Sequence, residues 1–174
     1  MIDISKCEIT RFPTPVLGQQ AKPVEKIDDS IRALAEKMMD IMVQQKGVGL
    51  AGPQVGVALR IFVASPDGTK KNAKVYINPV ITPSGKLEAA EEGCLSLPGI
   101  YGKIRRYSKC SIKAAGLDGS QFSEEAEGLL ARIFQHECDH LDGTLVADKL
   151  STVAKIAARK KLKQLRENYT QQKQ

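Results

Sequence analysis

The chain has no tryptophan, and only 5% of its 174 residues are aromatic. A platform on which nucleobases stack is therefore not favoured. No apolar run approaches the roughly 20 residues that cross a bilayer, which argues against a membrane span. Met1-Ile2-Asp3-Ile4-Ser5-Lys6 has neither an apolar h-region nor an Arg-rich transit character, which predicts a cytoplasmic protein. The four cysteines, at 7, 94, 110 and 138, show no C-x-x-C spacing. In a cytosolic chain they are expected as thiols, not as a disulfide framework. Internal repeats and long linkers are absent too. The length then reads as one domain, large enough for a core of its own. Histidine is nearly absent: the chain holds two.

Both stand in His136-Glu137-Cys138-Asp139-His140, after a run that reads as helix. Residues four apart share a helix face, so two imidazoles can meet one metal ion. Glu137 is close enough to handle the proton of a water there. H-E-x-x-H is a signature of hydrolytic metal sites. It fits water made nucleophilic at neutral pH for attack on an acyl carbon. Such strings also arise by chance on surface helices. A chain that places its only two histidines around one Glu weighs for the metal.

A catalytic site of this kind commonly has three protein ligands and one open position. Beyond the helix, Asp142, Asp148 and Glu167 are candidates for the third. Upstream, Glu91-Glu92-Gly93-Cys94-Leu95-Ser96-Leu97-Pro98-Gly99 offers Cys94 on what reads as irregular, exposed backbone. Cys138 sits about 200° around the helix from His136 and should face away. Cys7 and Cys110 fall in strand-like stretches as small core residues.

Asp29 to about Gln45 reads as a helix capped by Asp29 or Ser30. Ile31, Leu34, Ala35, Met38, Ile41 and Met42 form its apolar stripe, and Gly47 suits its C′ position. Short strands are expected over Leu59–Ser65, Lys74–Pro83 and Ser111–Leu117, with turns at Asp67-Gly68 and Asp118-Gly119. Pro79 and Pro83 make the middle strand an edge strand or a bulged one. The motif helix is expected near 124–141, stopped by Asp142-Gly143. A final amphipathic helix is expected from about Leu150 to Asn168. The fold class is α+β: short, mostly antiparallel strands around a central metal-binding helix, plus an N-terminal and a C-terminal helix. Residues 1–150 form the catalytic part. Residues 151–174 form a basic amphipathic helix and tail, an extension of the same domain.

The net charge of +6 is uneven. Residues 149–174 hold eight Lys/Arg and one Glu, while the other 148 residues hold 18 basic and 19 acidic side chains. Val153, Ala157, Leu162 and Leu165 are expected on the apolar side of the last helix. Lys155, Arg159, Lys160, Lys163 and Arg166 make the rest positive.

Gly47-Val48-Gly49-Leu50-Ala51-Gly52-Pro53-Gln54-Val55-Gly56 has four glycines in ten residues, so its backbone can approach something closely. A nucleotide loop is one reading, but neither G-x-G-x-x-G nor a Walker Lys-Ser/Thr is present. The other is a strand edge along which a peptide lies, bonded to the backbone of Gly49. Gln54 would then offer an amide N–H to an oxyanion.

Gly47–Gln54, Glu92–Ser96 and His136–His140 resemble, in order and spacing, the three motifs of peptide deformylases: G-x-G-x-A-A-P-Q, E-G-C-L-S and H-E-x-x-H. The similarity runs from about Ile9 to about Leu150. Gly52 replaces the family's usual second Ala and is expected to loosen the loop beside Gln54. The resemblance implies hydrolytic removal of the N-formyl group from initiator methionine, with release of formate. It implies metal ligands Cys94, His136 and His140, and Glu137 as base and then acid. It implies an oxyanion facing the metal, the Gln54 amide and the Leu95 backbone N–H. Val48, Gly49, Glu92, Gly93, Leu129, Arg132 and Ile133 are candidate substrate contacts, with Leu129 and Ile133 lining a Met pocket and Arg132 at its rim. Fe²⁺ is the implied physiological ion, with Zn²⁺, Ni²⁺ or Co²⁺ as others. Implied partners are N-formylmethionyl peptides and, through the basic helix, ribosomal RNA, with no membrane and no nucleotide cofactor. The rival readings are an H-E-x-x-H zinc endopeptidase and a structural metal or RNA-binding module. Arg106 and Asp139 are expected to pair, tying the Cys94 segment to the helix.

Overall fold

A computed structural model of the protein describes residues 2–171. Five strands form one antiparallel sheet in sequence order: β1 Gly49–Ala51, β2 Ile61–Ala64, β3 Lys74–Gly93, β4 Tyr101–Ala115 and β5 Gln121–Glu127. Four helices accompany it: α1 Asp29–Gln44, α2 Gly128–Leu141, α3 Val146–Lys149 and α4 Thr152–Gln171. The architecture is α+β, as the residue pattern predicts.

Alternation along the strands separates two cores, because successive side chains leave opposite faces. Leu50, Ile61, Val63 and Ile77 pack with the apolar stripe of α1. Ala51, Phe62, Ala64 and Tyr76 pack with α2. There Phe62 stacks on Tyr76 with centroids 4.6 Å apart, and Phe134 of α2 meets the Tyr76 ring edge-on at 4.8 Å. Buried aromatics in such offset or edge geometry add about 0.5–1.5 kcal/mol beyond area burial. Cys110 and Cys138 join this core, and burial pushes their thiols up to about 11 and about 12. Cys7 is also buried, but beside a short 3₁₀ turn, Ile4–Lys6, rather than in a strand.

Several boundaries differ from the sequence-based expectation. The N-cap of α1 is Asp28, whose carboxylate accepts from the N–H groups of Ser30 and Ile31. Lys46, not Gly47, takes the left-handed conformation after α1, at φ 57°. Strand β3 runs ten residues past Pro83. Register shifts at Ile77/Val80 and Ser84/Leu87 absorb Pro79 and Gly85, so both readings of this strand hold in part. It is interior where it pairs with β2 over Lys74–Ile77 and an edge beyond that. Residues 124–127 are strand rather than helix. Glu127, Ala126, Glu125 and Glu124 pair with Lys109, Cys110, Ser111 and Ile112 of β4. Cross-strand pairing thus outweighs the helix propensity of a Glu/Ala-rich stretch. The chain enters α2 only at Gly128, with φ +57°.

A third core lies beneath α4. Leu17, Leu97, Ile100, Ile104, Leu145, Val146 and Leu150 form it with Leu165. The seam of α4 runs through Ala154, Ala158, Leu162 and Leu165. Val153 and Ala157, expected on that side, face outward, and Val153 is 77% exposed. Residues 172–174 of the expected tail lie outside the described residues. Among the described residues no helix is long and apolar enough to cross a membrane.

Candidate metal centre and active site

Helix α2 has one face for packing and another for chemistry. Ala131, Phe134, Cys138 and Leu141 bury themselves against the sheet. Arg132, His136 and His140, at i, i+4 and i+8, turn instead toward the end of β3 and the loop after it. That loop carries Cys94, in a turn closed by the Leu97 N–H donating to the Cys94 carbonyl at 2.9 Å.

Cys94 Sγ, His136 and His140 each aim a ligand atom at one point, all within 4.8 Å of one another. Cys94 Sγ lies 3.2 Å from His140 Nε2, which lies 3.2 Å from His136 Nε2. A tetrahedral ion with ordinary bond lengths spaces such donors about 3.4–3.6 Å apart, so the set fits a metal. The electrostatics fit too. Burial disfavours charge on His136, yet Cys94, Glu92 and Glu137 raise its pKa to about 10. His140 is held well below its ordinary value by burial and by His136.

Glu92 fixes the tautomer of His136. Its Oε2 lies 3.1 Å from His136 Nδ1, which assigns the proton to Nδ1 and leaves Nε2 its lone pair. Arg106 donates to both Glu92 oxygens at 2.9 Å, and Arg132 donates to Oε1 at 2.7 Å. Burial alone would raise the Glu92 pKa, but His136 and the arginines hold it well below the usual carboxylate range. Arg106 also reaches Asp139 Oδ2 at 2.5 Å, the pairing that the sequence predicts. Lys149 holds the other Asp139 oxygen at 2.7 Å. Glu92, expected among substrate contacts, directs its carboxylate inward to these partners. Arg132 is not a solvated rim residue. Only 16% of its side chain is exposed, and it also donates to the Ile104 and Glu88 carbonyls.

Gln54 lies buried in a 3₁₀ turn, Gly52–Val55. Its Oε1 accepts from the Ala51 N–H at 2.8 Å, which aims Nε2 at Cys94 Sγ, 3.4 Å away. The turn is tight rather than loose at Gly52. A Cβ there would stand 2.8 Å from the carbonyl oxygens of Val57 and Leu59. Glu137 is 3% exposed, and its Oε2 has no hydrogen-bond partner among the described residues. Burial pushes its carboxyl up to about 7, against the opposing pull of His136 and Arg106.

A cleft of about 430 Å³ opens above this cluster. Val48, Gly49, Gln54, Glu92, Gly93, Cys94, Leu95, Leu129, Arg132, Ile133, His136 and Glu137 all line it, while His140 lies beneath. Sequence reasoning missed Tyr101, Lys46 and Glu91, which also line it. The Gly93↔Tyr101 pairing brings Tyr101 there, and only the hairpin register reveals that.

A model of the polypeptide deformylase family matches residues 6–155. The chain belongs to that family. A peptide deformylase of Pseudomonas aeruginosa is 46% identical over 155 residues, or 88% of this chain and 92% of the relative. The crystal structure of a Plasmodium falciparum peptide deformylase superposes with a TM-score of 0.90 at 39% identity, over 94% of this chain and 97% of that one. Peptide deformylase 1B of Arabidopsis thaliana gives 0.91 at 36% identity, over 95% and 93%. As a deformylase-family member the chain is a hydrolase, and the family is metal-dependent. Membership sets aside the structural-module and endopeptidase readings.

Proposed function

We propose that the protein removes the N-formyl group from the initiator methionine of new polypeptides, releasing formate and a free amino terminus. The observation that carries this reading is the convergence of Cys94, His136 and His140 beside a buried Glu137, under the Gln54 amide. The metal these three residues would hold supplies an electrophile for the formyl carbonyl and makes water nucleophilic at neutral pH.

The chain's own groups do the rest. Glu137 accepts a proton from the attacking water and delivers it to the departing amine nitrogen, serving as base and then as acid. The Gln54 Nε2–H and the Leu95 backbone N–H face the oxygen on which negative charge develops. Leu129 and Ile133 receive the methionine side chain. The backbones of Val48, Gly49 and Gly93 flank the peptide beyond it. Glu92, Arg106 and Arg132 hold His136 in the tautomer that keeps Nε2 free. Fe²⁺ is the physiological ion in this reading, with Zn²⁺, Ni²⁺ and Co²⁺ as ions the same donors accept. The setting is the cytoplasm, and α4 docks on ribosomal RNA.

Anaerobically prepared Fe²⁺ protein is expected to release formate from formyl-Met-Ala-Ser and to leave acetyl-Met-Ala-Ser intact. Absence of formate, or cleavage of an internal peptide bond, would overturn the reading.

A further inference from the structure

We propose that Gly49 is a positioning residue for Glu137: lacking a side chain, it lets β1 rest on the Glu137 carboxyl and hold it beneath the cleft. The proposal builds on the deformylase reading above. A Cβ at Gly49 would stand 2.3 Å from Glu137 Oε1, 2.8 Å from Cδ and 3.0 Å from Cγ. Three consecutive atoms of one side chain thus lie against this backbone position. The φ of Gly49 is not in the left-handed region, so the glycine answers a need for space, not for conformation.

Neither backbone is free to retreat. Strand β1 is held by Gly49↔Ala64 pairing, by the Ser65 N–H donating to the Val48 carbonyl at 2.8 Å, and by Gln54 on the Ala51 N–H. Leu50 and Ala51 are fully buried on opposite faces of the sheet. The α2 backbone is fixed by Phe134 and Cys138 in the core and by two metal-ligand histidines beside Glu137. Only the Glu137 side chain can swing. Its Oε2 has no hydrogen bond among the described residues, so contact with β1 limits where the carboxyl rests. The same three-residue strand therefore lines the cleft with one edge and sets the proton-transfer group beneath it. A shift of about 1 Å in such a group lowers rate by about 10²-fold.

The test is a size-exchange cycle of Gly49→Ala, Glu137→Asp and the double variant, reading metal content, Tm, kcat and KM on formyl-Met-Ala-Ser. Gly49→Ala is expected to keep one metal per chain, lose about 10²-fold in kcat, and shift KM less than about threefold. Its Tm should fall, because the added methyl overpacks a tight contact. In the Glu137→Asp background, where the carboxyl is withdrawn, adding Gly49→Ala should lower neither Tm nor kcat appreciably. Undiminished kcat in Gly49→Ala, or equal losses in both backgrounds, would overturn the proposal. If Gly49→Ala does not fold, the readout is whether Glu137→Ala restores folding; failure to restore it would also overturn the proposal. The Tm cycle needs no substrate, so it stands apart from turnover of formyl-Met peptide by the unsubstituted protein, which tests the deformylase reading itself.

Discussion

Helix α2 buries eight of its 14 residues, whereas α4 buries only Leu165 of its 20. Most inward polar groups of α2 are tied to others: Arg132 and His136 to Glu92, Gln135 to the Tyr107 backbone, and Asp139 to Arg106 and Lys149. On α4 the cations Lys155, Arg159 and Lys160 have no ion partner among the described residues. Both helices are amphipathic, but they differ in what their polar side meets. On α2 it meets other polar groups out of water, where each charge depends on its neighbours. On α4 it meets solvent, where charges act nearly independently and are screened by salt.

Five variants sharpen or break this contrast. Glu137→Gln should retain the metal yet lower turnover by about 10²–10⁴-fold, the usual range for a general acid–base group. Full metal content with near-normal turnover would mean that α2 is not the reactive floor. Arg106→Ala should cost about 3 kcal/mol in urea denaturation, because it removes the buried cation shared by Glu92 and Asp139 and leaves them only Arg132, His136 and Lys149, and it should weaken metal affinity as well. Stability and affinity both unchanged would make the polar side of α2 as independent as that of α4.

Leu165→Ala should cost about 2 kcal/mol, since the residue closes the third core. Val153→Ala, outside the seam, should stay within about 0.5 kcal/mol. Equal effects of the two on Tm would deny that α4 docks along Ala154, Ala158, Leu162 and Leu165. Replacing Lys155, Arg159 and Lys160 by Glu should shift stability by less than about 0.5 kcal/mol and spare turnover of formyl peptides. Ribosome binding should weaken, with a shallower salt dependence. Cosedimentation equal to that of the unsubstituted protein at low salt would rule out the docking role. This variant tests docking better than truncation after Lys149, which would also remove Leu150 and uncover Leu97 and Ile100.

The site was legible where chemistry demands particular residues at particular spacings. His136 and His140 four apart, Cys94 between Gly93 and Leu95, and Gln54 after a glycine-rich run are such places. The α1 stripe was legible because its apolar residues follow the helical period. What stayed hidden depends on partners distant in sequence. Glu92 is one acid among several until Arg106, Arg132 and His136 surround it. Residues 124–127 look helical until β4 pairs with them. Pro79, Pro83 and Gly85 suggest that β3 ends, but bulges let it continue to Gly93. The α4 seam was misplaced by one residue because alanines on either side satisfy the same period, and only Leu17, Leu97 and Ile100 decide between them.

The sheet's two open edges also bear on self-association. An unpaired strand edge invites the backbone of another copy as readily as that of a guest. On one side, the outermost strand β1 has only three residues, about 10 Å of ladder, which is too little for a lasting pair with another molecule, and beyond Ile77 the edge passes to β3, where the bulges at Ile77/Val80 and Ser84/Leu87 interrupt it. On the other, β5 carries charged side chains on the rim: Glu125 faces solvent, and Glu124 and Glu127 pair with Lys74 and Lys109. Lengthening β1, or replacing the charged rim of β5 by apolar residues, is expected to raise aggregation measured by light scattering.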